Sequence, residues 1–322
     1  MHFALWGIRM LKRILYSILT LLLVSVIIFV IFQFIPGDPI LSKLGEESDE
    51  ALEQVLREEF ELDKPVLQRY FSWLNDLLHF NMGKSIKYNT SVNKLIADRL
   101  PNTLGLTILS FVFVIFIGIP LGIIVAKYNK SNSNKGVIFN IITQLGIAIP
   151  SFFFALVLIL IFSIKLKLVP VASFQPITSG LLPFVKGLIL PAMAVSMSAI
   201  SITVRYVRNS IVEQLNEDYV LVAKNKGVKE KRILYNHVLR NAMVPIVTIL
   251  GILFVNIVTG SIVVEAVFSI PGIGSLLTAA IKSKDLPLTQ GICVYISFVV
   301  VFVFLLLDIL YKIIDPRIRV KE

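Results

Sequence analysis

The residues with the greatest potential for chemistry are few and widely separated in this chain. The histidines are His2, His79 and His237, and no two of them stand at a metal-ligand spacing. Cys293 is the single cysteine and lies in an apolar run, so it cannot form an internal disulfide, and we expect a buried, inert thiol. The sequence therefore predicts no metal site.

A second candidate for chemistry is the segment Met82-Gly83-Lys84-Ser85, which is similar to the end of a phosphate-binding loop. The full pattern requires a glycine at position 78, where this chain has Leu78. Glu265 and Asp308 flank apolar runs, where a charge is less costly than at the bilayer centre. Either could line a path, but a place at the membrane interface is favoured. With no catalytic grouping and no nucleotide loop, the chain is expected not to be an enzyme.

The composition indicates a membrane protein. Of the 322 residues, 56% are hydrophobic and 16% are charged, and the net charge is +10. A soluble domain of this length would carry roughly a quarter charged residues. So much apolar side chain cannot be hidden in one water-soluble core.

The uncharged runs predict an all-α, polytopic protein with six transmembrane helices. A span needs about 20 apolar residues, and Ile14–Ile35 is too long for the apolar core of a signal peptide. Ala266–Ile281 is shorter and interrupted by proline and glycine, so we expect it to turn back rather than cross. The other five runs are Leu100–Ala126, Gly136–Ile164, Gly187–Val204, Asn241–Val264 and Leu286–Leu307.

Lysine and arginine set the expected orientation, with both termini in the cytoplasm. The segments assigned to the inside carry a net charge of +11 and those outside carry −1. This asymmetry favours a membrane topology over nucleic-acid binding. The predicted divisions are a cytoplasmic N-terminus with the first span (1–35), an extracytoplasmic helical segment (36–99), a transmembrane core (100–314) with a cytoplasmic loop (205–240), and a tail (315–322).

The outer segment 36–99 is long enough to fold. Apolar residues at helical spacing predict one amphipathic helix over Glu46–Glu61 and a second from Val66 to Leu78. The segment could be a small cap on the membrane domain or a docking surface for an external partner, and the sequence leaves both open.

The loop 205–240 has the pattern of a short helix, a turn and a second helix. Glu217 and Asp218 stand at a predicted helix start, where carboxylates favour the positive end of the helix dipole. Gly227 is expected to end that helix, since glycine permits the left-handed conformation after a helix. Between them, an apolar patch suited to a groove on another protein is predicted from Tyr219, Val220, Val222 and Ala223.

This loop resembles the E-A-A-x-x-x-G coupling motif of the permease subunits of ATP-binding-cassette (ABC) importers. The matching residues run from Leu221 to Gly227 and keep Ala223 and Gly227. The chain is similar in particular to the first permease of the oligopeptide, dipeptide and nickel group, a type I importer permease. Further matches in order are Pro36–Pro39, Gly83 with Ser85, Arg99–Leu104, Ile149–Phe153, His237–Ala242, Val264–Gly274 and Asp315–Arg317.

The resemblance implies a multi-pass protein of the cell membrane that works by alternating access. Its implied partners are a second permease in a heterodimer, two cytoplasmic ATPases that bind ATP and Mg²⁺, and an external substrate-binding protein. The residues expected to couple to the ATPase are Glu217, Asp218, Tyr219, Ala223 and Gly227.

The cargo is open among peptides, nickel and metal chelates, with peptides favoured, and the pathway-lining residues are not identified. A stand-alone carrier or channel without ATPase partners is the alternative. Such carriers usually place polar or charged groups at mid-span, and these spans lack charged residues.

Overall fold

The computed structural model describes residues 2–34, 54–55, 57, 64–128, 134–170 and 173–314. These residues form helices and connecting turns, with one isolated β-bridge between Lys84 and Ser91. The predicted helix over Glu46–Glu61 and the tail from 315 lie outside the described residues. The α-helices are α1 (His2–Gln33), α2 (Val66–Leu78), α3 (Val92–Phe113), α4 (Ile119–Tyr128), α5 (Asn134–Ala148), α6 (Ser151–Leu158), α7 (Leu181–Leu215), α8 (Asp218–Asn225), α9 (Glu230–Arg232), α10 (Leu239–Val267), α11 (Ile273–Lys282) and α12 (Leu286–Ile314).

Five continuous helical stretches in the described residues are long and apolar enough to cross a membrane. Three π-helical segments, Val114–Gly118, Ile159–Lys165 and Ile233–Val238, lie within or at the end of apolar helices. The all-α, polytopic fold predicted from the uncharged runs is confirmed. The five stretches are Leu11–Gln33, Val92–Lys127, Leu181–Leu215, Glu230–Val267 and Leu286–Leu307.

The remaining predicted span, Gly136–Ile164, is not one straight helix. It consists of two helices that meet at Pro150 with a bend of 101°. Proline removes a backbone donor and fixes its own φ, so α5 ends before Pro150 and α6 begins after it. Counted together, the bent pair brings the number of candidate spans to six.

The shorter apolar run, Ala266–Ile281, does not form a span. Helix α10 ends at Val267, and α11 has only 10 residues. Ser269 adopts a positive φ of 55° between them, two residues before Pro271. At 1.5 Å per residue, a helix of this length covers about half of the hydrocarbon thickness.

The chain divides into two compact units, and the first comprises residues 1–101 and 271–305. In this unit α2 packs against α1 through aromatic rings: the centroid of Phe29 lies 5.3 Å from that of Tyr70 and 5.6 Å from that of Trp73. The hydroxyls of Ser25 and Tyr70 are hydrogen-bonded at 3.0 Å. A separate buried apolar cluster joins the start of α3 to α11 and α12 and consists of Val92, Ile96, Ile273, Leu276, Ala280, Leu288 and Ile292.

The second unit comprises residues 102–270 and 306–322, and α7 is its central helix. Helices α4, α5, α6 and α10 all pack against α7. The contact with α4 is close, because a Cβ placed on Gly122 would lie 2.6 Å from the Cβ of Val207. Of an 18-residue apolar stretch of α7, 67% is buried inside the protein. This explains why its uncharged run is short and rich in serine: its neighbours are protein rather than lipid.

Candidate functional site

Helix α8 lies in the loop 205–240 and begins where the sequence predicts. Glu217 precedes it in an extended conformation (φ −73°, ψ 147°), and the Glu217 carbonyl accepts a hydrogen bond from the Val220 N–H at 3.0 Å. Asp218 occupies the first turn, where its charge is favoured by the helix dipole. The carboxylate of Glu217 makes no side-chain capping bond, so its contribution to the helix start is electrostatic.

Gly227 ends α8 through a paired hydrogen-bond arrangement called a Schellman motif. The Val228 N–H donates to the Ala223 carbonyl at 3.1 Å, and the Gly227 N–H donates to the Lys224 carbonyl at 2.9 Å. Gly227 has φ +75°, in the left-handed region that favours glycine. The predicted stop at Gly227 is confirmed, and the motif also explains the spacing of Ala223 and Gly227.

The inner face of α8 is attached to the end of α7. Val220 is 1% exposed, and Tyr219 and Ala223 pack against the same core. The Tyr219 hydroxyl donates to Oε1 of Gln214, in the last turn of α7, at 2.9 Å. Because these side chains are anchored, α8 and the end of α7 are held to each other at several points.

The outer face of α8 differs from the predicted apolar patch. Leu221 is 61% exposed and Val222 is 50% exposed, whereas Val220 is buried. Three of the four residues of the predicted patch therefore pack against the protein's own core, namely Tyr219, Val220 and Ala223, and the prediction omitted Leu221. Because a helix has 3.6 residues per turn, the side chains of the two residues after Val220 point away from the face that Val220 buries. The sequence shows that all three side chains are apolar, but it does not show which of them is buried.

The return path from α8 leads directly into a membrane helix. Lys229 is extended, and helical structure is then continuous from Glu230 to Val267. After the short helix α9 comes the π-helix Ile233–Val238, whose residues Ile233, Leu234 and Val238 are buried. A π-helical turn inside a longer helix is a frequent feature of functional sites. The loop is thus a helix, a turn and a second helix, as predicted.

Two carboxylates, Glu265 and Asp285, are buried inside the protein. Glu265 is fully buried in the last turn of α10, and its Oε1 accepts a hydrogen bond from the Thr103 hydroxyl at 2.8 Å. The sequence analysis favoured a position for Glu265 at the membrane interface and did not predict this buried hydrogen bond. Thr103 and Glu265 belong to two of the matched segments, so this bond joins segments that the sequence keeps 162 positions apart.

Sequence reasoning missed Asp285, which is also fully buried. Its Oδ2 accepts from the Ser85 hydroxyl at 2.5 Å and from the Lys87 N–H at 3.1 Å, and its Oδ1 accepts from the Ile86 N–H at 3.2 Å. Oδ1 also accepts from the Leu288 N–H at 3.3 Å, in the first turn of α12. The Ser85 hydroxyl belongs to the segment that is similar to the end of a phosphate-binding loop, and it is hydrogen-bonded to a carboxylate. A carboxylate at this position would repel a phosphate.

The remaining candidate groups do not assemble into a reaction centre. Among the described residues, no three His, Cys, Asp or Glu side chains come together to hold a metal ion. Cys293 is half-buried rather than fully buried. The side chain of Asp308 lies outside the described part.

The fold and the loop together define a polytopic, all-α transport protein, and comparison with known proteins agrees. Residues 118–320 match the family described as "Binding-protein-dependent transport system inner membrane component". Residues 8–107 match "Binding-prot-dependent transport system membrane comp, N-term". The chain belongs to this family of inner membrane components of binding-protein-dependent transport systems.

Curated relatives cover almost the whole chain. Oligopeptide transport system permease protein AppB of Bacillus subtilis (strain 168) is 35% identical over 311 residues, which is 96% of this chain and 98% of that protein. "Probable peptide ABC transporter permease protein y4tP" of Sinorhizobium fredii (strain NBRC 101917 / NGR234) is 33% identical over 313 residues, covering 97% and 99%. The predicted ABC importer permease is confirmed, and the chain is the multi-pass membrane subunit of such a system.

Proposed function

We propose that this chain is one permease of a heterodimer in an ATP-driven peptide importer and that α8 docks into a cytoplasmic ATPase. The observation that carries the proposal is the construction of α8. It exposes Leu221 and Val222, while Val220 and Tyr219 anchor it to α7. A rigid helix with an apolar outer face is suited to a groove on another protein.

The coupling residues have distinct roles in this proposal. Glu217 and Asp218 set the start of α8, and Ala223 and Gly227 set its end. Tyr219 ties it to the bundle. None of these residues needs to react with anything, because their function is to keep a short helix in one shape and position.

Motion would pass from α8 into the membrane by two routes. One runs through Tyr219 and Val220 into α7, the central helix of its unit. The other runs through the continuous helix that starts at Glu230 and becomes α10. Because α7 and α10 also pack against each other, a push on α8 reaches both helices.

The partners follow from the family. Two ATPases would bind ATP and Mg²⁺, and this chain would bind no cofactor. An external binding protein would deliver the cargo on the opposite side, with both termini of this chain in the cytoplasm. Peptide is the proposed cargo because the relatives are named as peptide and oligopeptide permeases.

The docking test places a charge on the outer face of α8. Leu221→Asp should weaken co-purification of the ATPase and lower uptake, because a carboxylate would be buried in an apolar contact. Asn236→Asp adds the same charge to the same loop, at an exposed site outside α8, and should behave as wild type. Equal ATPase binding by Leu221→Asp and wild type would contradict the docking proposal.

The cargo test is genetic. A strain that requires amino acids and lacks this gene should fail to grow on peptides as its amino-acid source and should grow on free amino acids. Unimpaired uptake of labelled peptides in the deletion strain, with loss of nickel uptake, would replace peptide by metal as the cargo.

A further inference from the structure

A pocket lies within the second unit, between the end of α4 and the loop 205–240. Its volume is about 360 Å³, and four of its lining residues are buried apolar side chains: Ala126, Ile211, Ile233 and Leu234. A volume of this size is within the range of small-molecule sites, about 300–1,000 Å³. The pocket therefore has room for a group larger than a simple anion, and it has an apolar lining for part of it.

The polar lining of the pocket is predominantly basic. Lys127, Lys224 and Lys231 contribute three positive charges, and Glu230 contributes one negative charge. These lysines come from three helices: α4 is distant in sequence, whereas α8 and α9 follow each other within the loop 205–240. The pocket thus combines a net positive charge with buried apolar residues, which suits a ligand with an anionic head and an apolar tail.

The position of Lys127 places the pocket at a membrane boundary. Lys127 is the first charged residue after the uncharged run Leu100–Ala126. Its ammonium lies 5.4 Å from the centroid of the Tyr235 ring, a cation–π distance. A charged group directly after a span lies near the level of the lipid phosphates, and Tyr235 restrains it there.

We propose that this pocket binds the phosphate headgroup of an anionic phospholipid, with the lysines around the phosphate and the upper part of the acyl chains against the apolar lining. Basic pockets between membrane helices on the cytoplasmic side are a known kind of site for anionic headgroups. The assignment to the cytoplasmic leaflet rests on the proposed function, which gives the orientation of the chain.

A lipid suits this pocket better than a protein partner. The exposed residues of α8 proposed to meet the ATPase, Leu221 and Val222, are not among the lining residues. The lining includes Ala126, the last residue of the uncharged run Leu100–Ala126, and Lys127, which directly follows it. A bound lipid would contact Lys224 of α8 together with Lys127 of α4, and so would brace the coupling helix against the bundle.

The test measures lipids retained by the purified full-length chain. Mixed micelles would contain equal amounts of phosphatidylglycerol and phosphatidylcholine with the same acyl chains, and native mass spectrometry would count what stays bound. Wild type should retain phosphatidylglycerol in excess. Lys127→Gln should retain about fivefold less of it, the factor expected for loss of one lysine near an anionic headgroup.

The matched control is Lys226→Gln, which removes the same charge from an exposed site that does not line the pocket. It should retain phosphatidylglycerol as wild type does. Replacing Lys127, Lys224 and Lys231 together should reduce the retained phosphatidylglycerol to the level of phosphatidylcholine. Lys231→Gln alone gives a second single-site measurement if the Lys127 variant is poorly folded.

Several outcomes would overturn the proposal. Equal retention by Lys127→Gln and wild type would exclude a site at this pocket, and equal loss in Lys127→Gln and Lys226→Gln would indicate a general basic surface. Displacement of the lipid by millimolar inorganic phosphate would indicate a free-anion site. Unchanged lipid with weakened ATPase co-purification in Lys127→Gln would assign the pocket to the protein partner. Lipid retention is measured without the ATPase, so its failure leaves the docking proposal untouched.

Discussion

Gly227 is the position where a single substitution should separate coupling from folding. Its φ of +75° is unfavourable for a residue with a side chain, and a Cβ there would meet no atom within 4 Å. The cost of Gly227→Val is therefore a backbone cost without a packing term. It amounts to about 1–2 kcal/mol for an L-residue in the left-handed region, and a β-branched residue lies at the high end.

This cost falls on the end of α8. The two hydrogen bonds of the Schellman motif, to the carbonyls of Ala223 and Lys224, form only when residue 227 is left-handed. A penalty of about 1–2 kcal/mol lowers the population of the native turn relative to its alternatives by a factor of about 5–30. We expect ATPase association and uptake to fall by a factor in this range, with the chain still in the membrane.

The assay compares Gly227→Val with Gly227→Asn at equal membrane abundance. Asparagine tolerates the left-handed region better than other residues with side chains, so Gly227→Asn should stay close to wild type in uptake and in co-purification of the ATPase. Gly227→Ala should fall between the two. Normal uptake by Gly227→Val would refute the reasoning, and so would equal loss in the valine and asparagine variants, because the effect would then not depend on backbone conformation.

Three further substitutions test packing and buried polar contacts, each read as thermal stability of the purified chain. Asp285→Ala should be strongly destabilising, by about 1–3 kcal/mol for each buried donor left without an acceptor, and an unchanged melting temperature would contradict the anchoring role. Glu265→Ala should cost about 1–3 kcal/mol by removing the buried acceptor of the Thr103 hydroxyl, while Glu265→Gln keeps an acceptor and should cost less. Gly122→Ala should cost about 1–3 kcal/mol through overpacking, and Val207→Ala in the same chain should recover part of it; no recovery would place the clash elsewhere.

The elements set by local chemistry were predictable. Uncharged runs of about 20 residues must be helical in a bilayer, because lipid offers no partner for backbone polar groups. Glu217 and Asp218 at the start of α8 and Gly227 at its end act within a few residues, and the structure places all three as predicted. The break between α5 and α6 at Pro150 also follows from local chemistry, although its angle of 101° was not evident from the sequence.

The contacts between distant residues were not predictable. Ser85 and Asp285 meet across 200 positions of sequence, and nothing in either neighbourhood marks the other as its partner. In α8, the residue types of Val220, Leu221 and Val222 are nearly equivalent, yet the first is buried and the other two are exposed. The short run of α7 became the centre of its unit for a similar reason: hydropathy records affinity for an apolar medium but does not distinguish lipid from protein.

The sequence by itself therefore determined the class of protein, the helices, and the start and end of the coupling helix, since these depend on neighbours along the chain. The tertiary structure decided which side of that helix faces outward, which carboxylates are buried, and where three lysines from separate helices surround one pocket. The physical reason is that burial and electrostatic surroundings depend on atoms brought together by packing, and one chain read in order does not specify those neighbours.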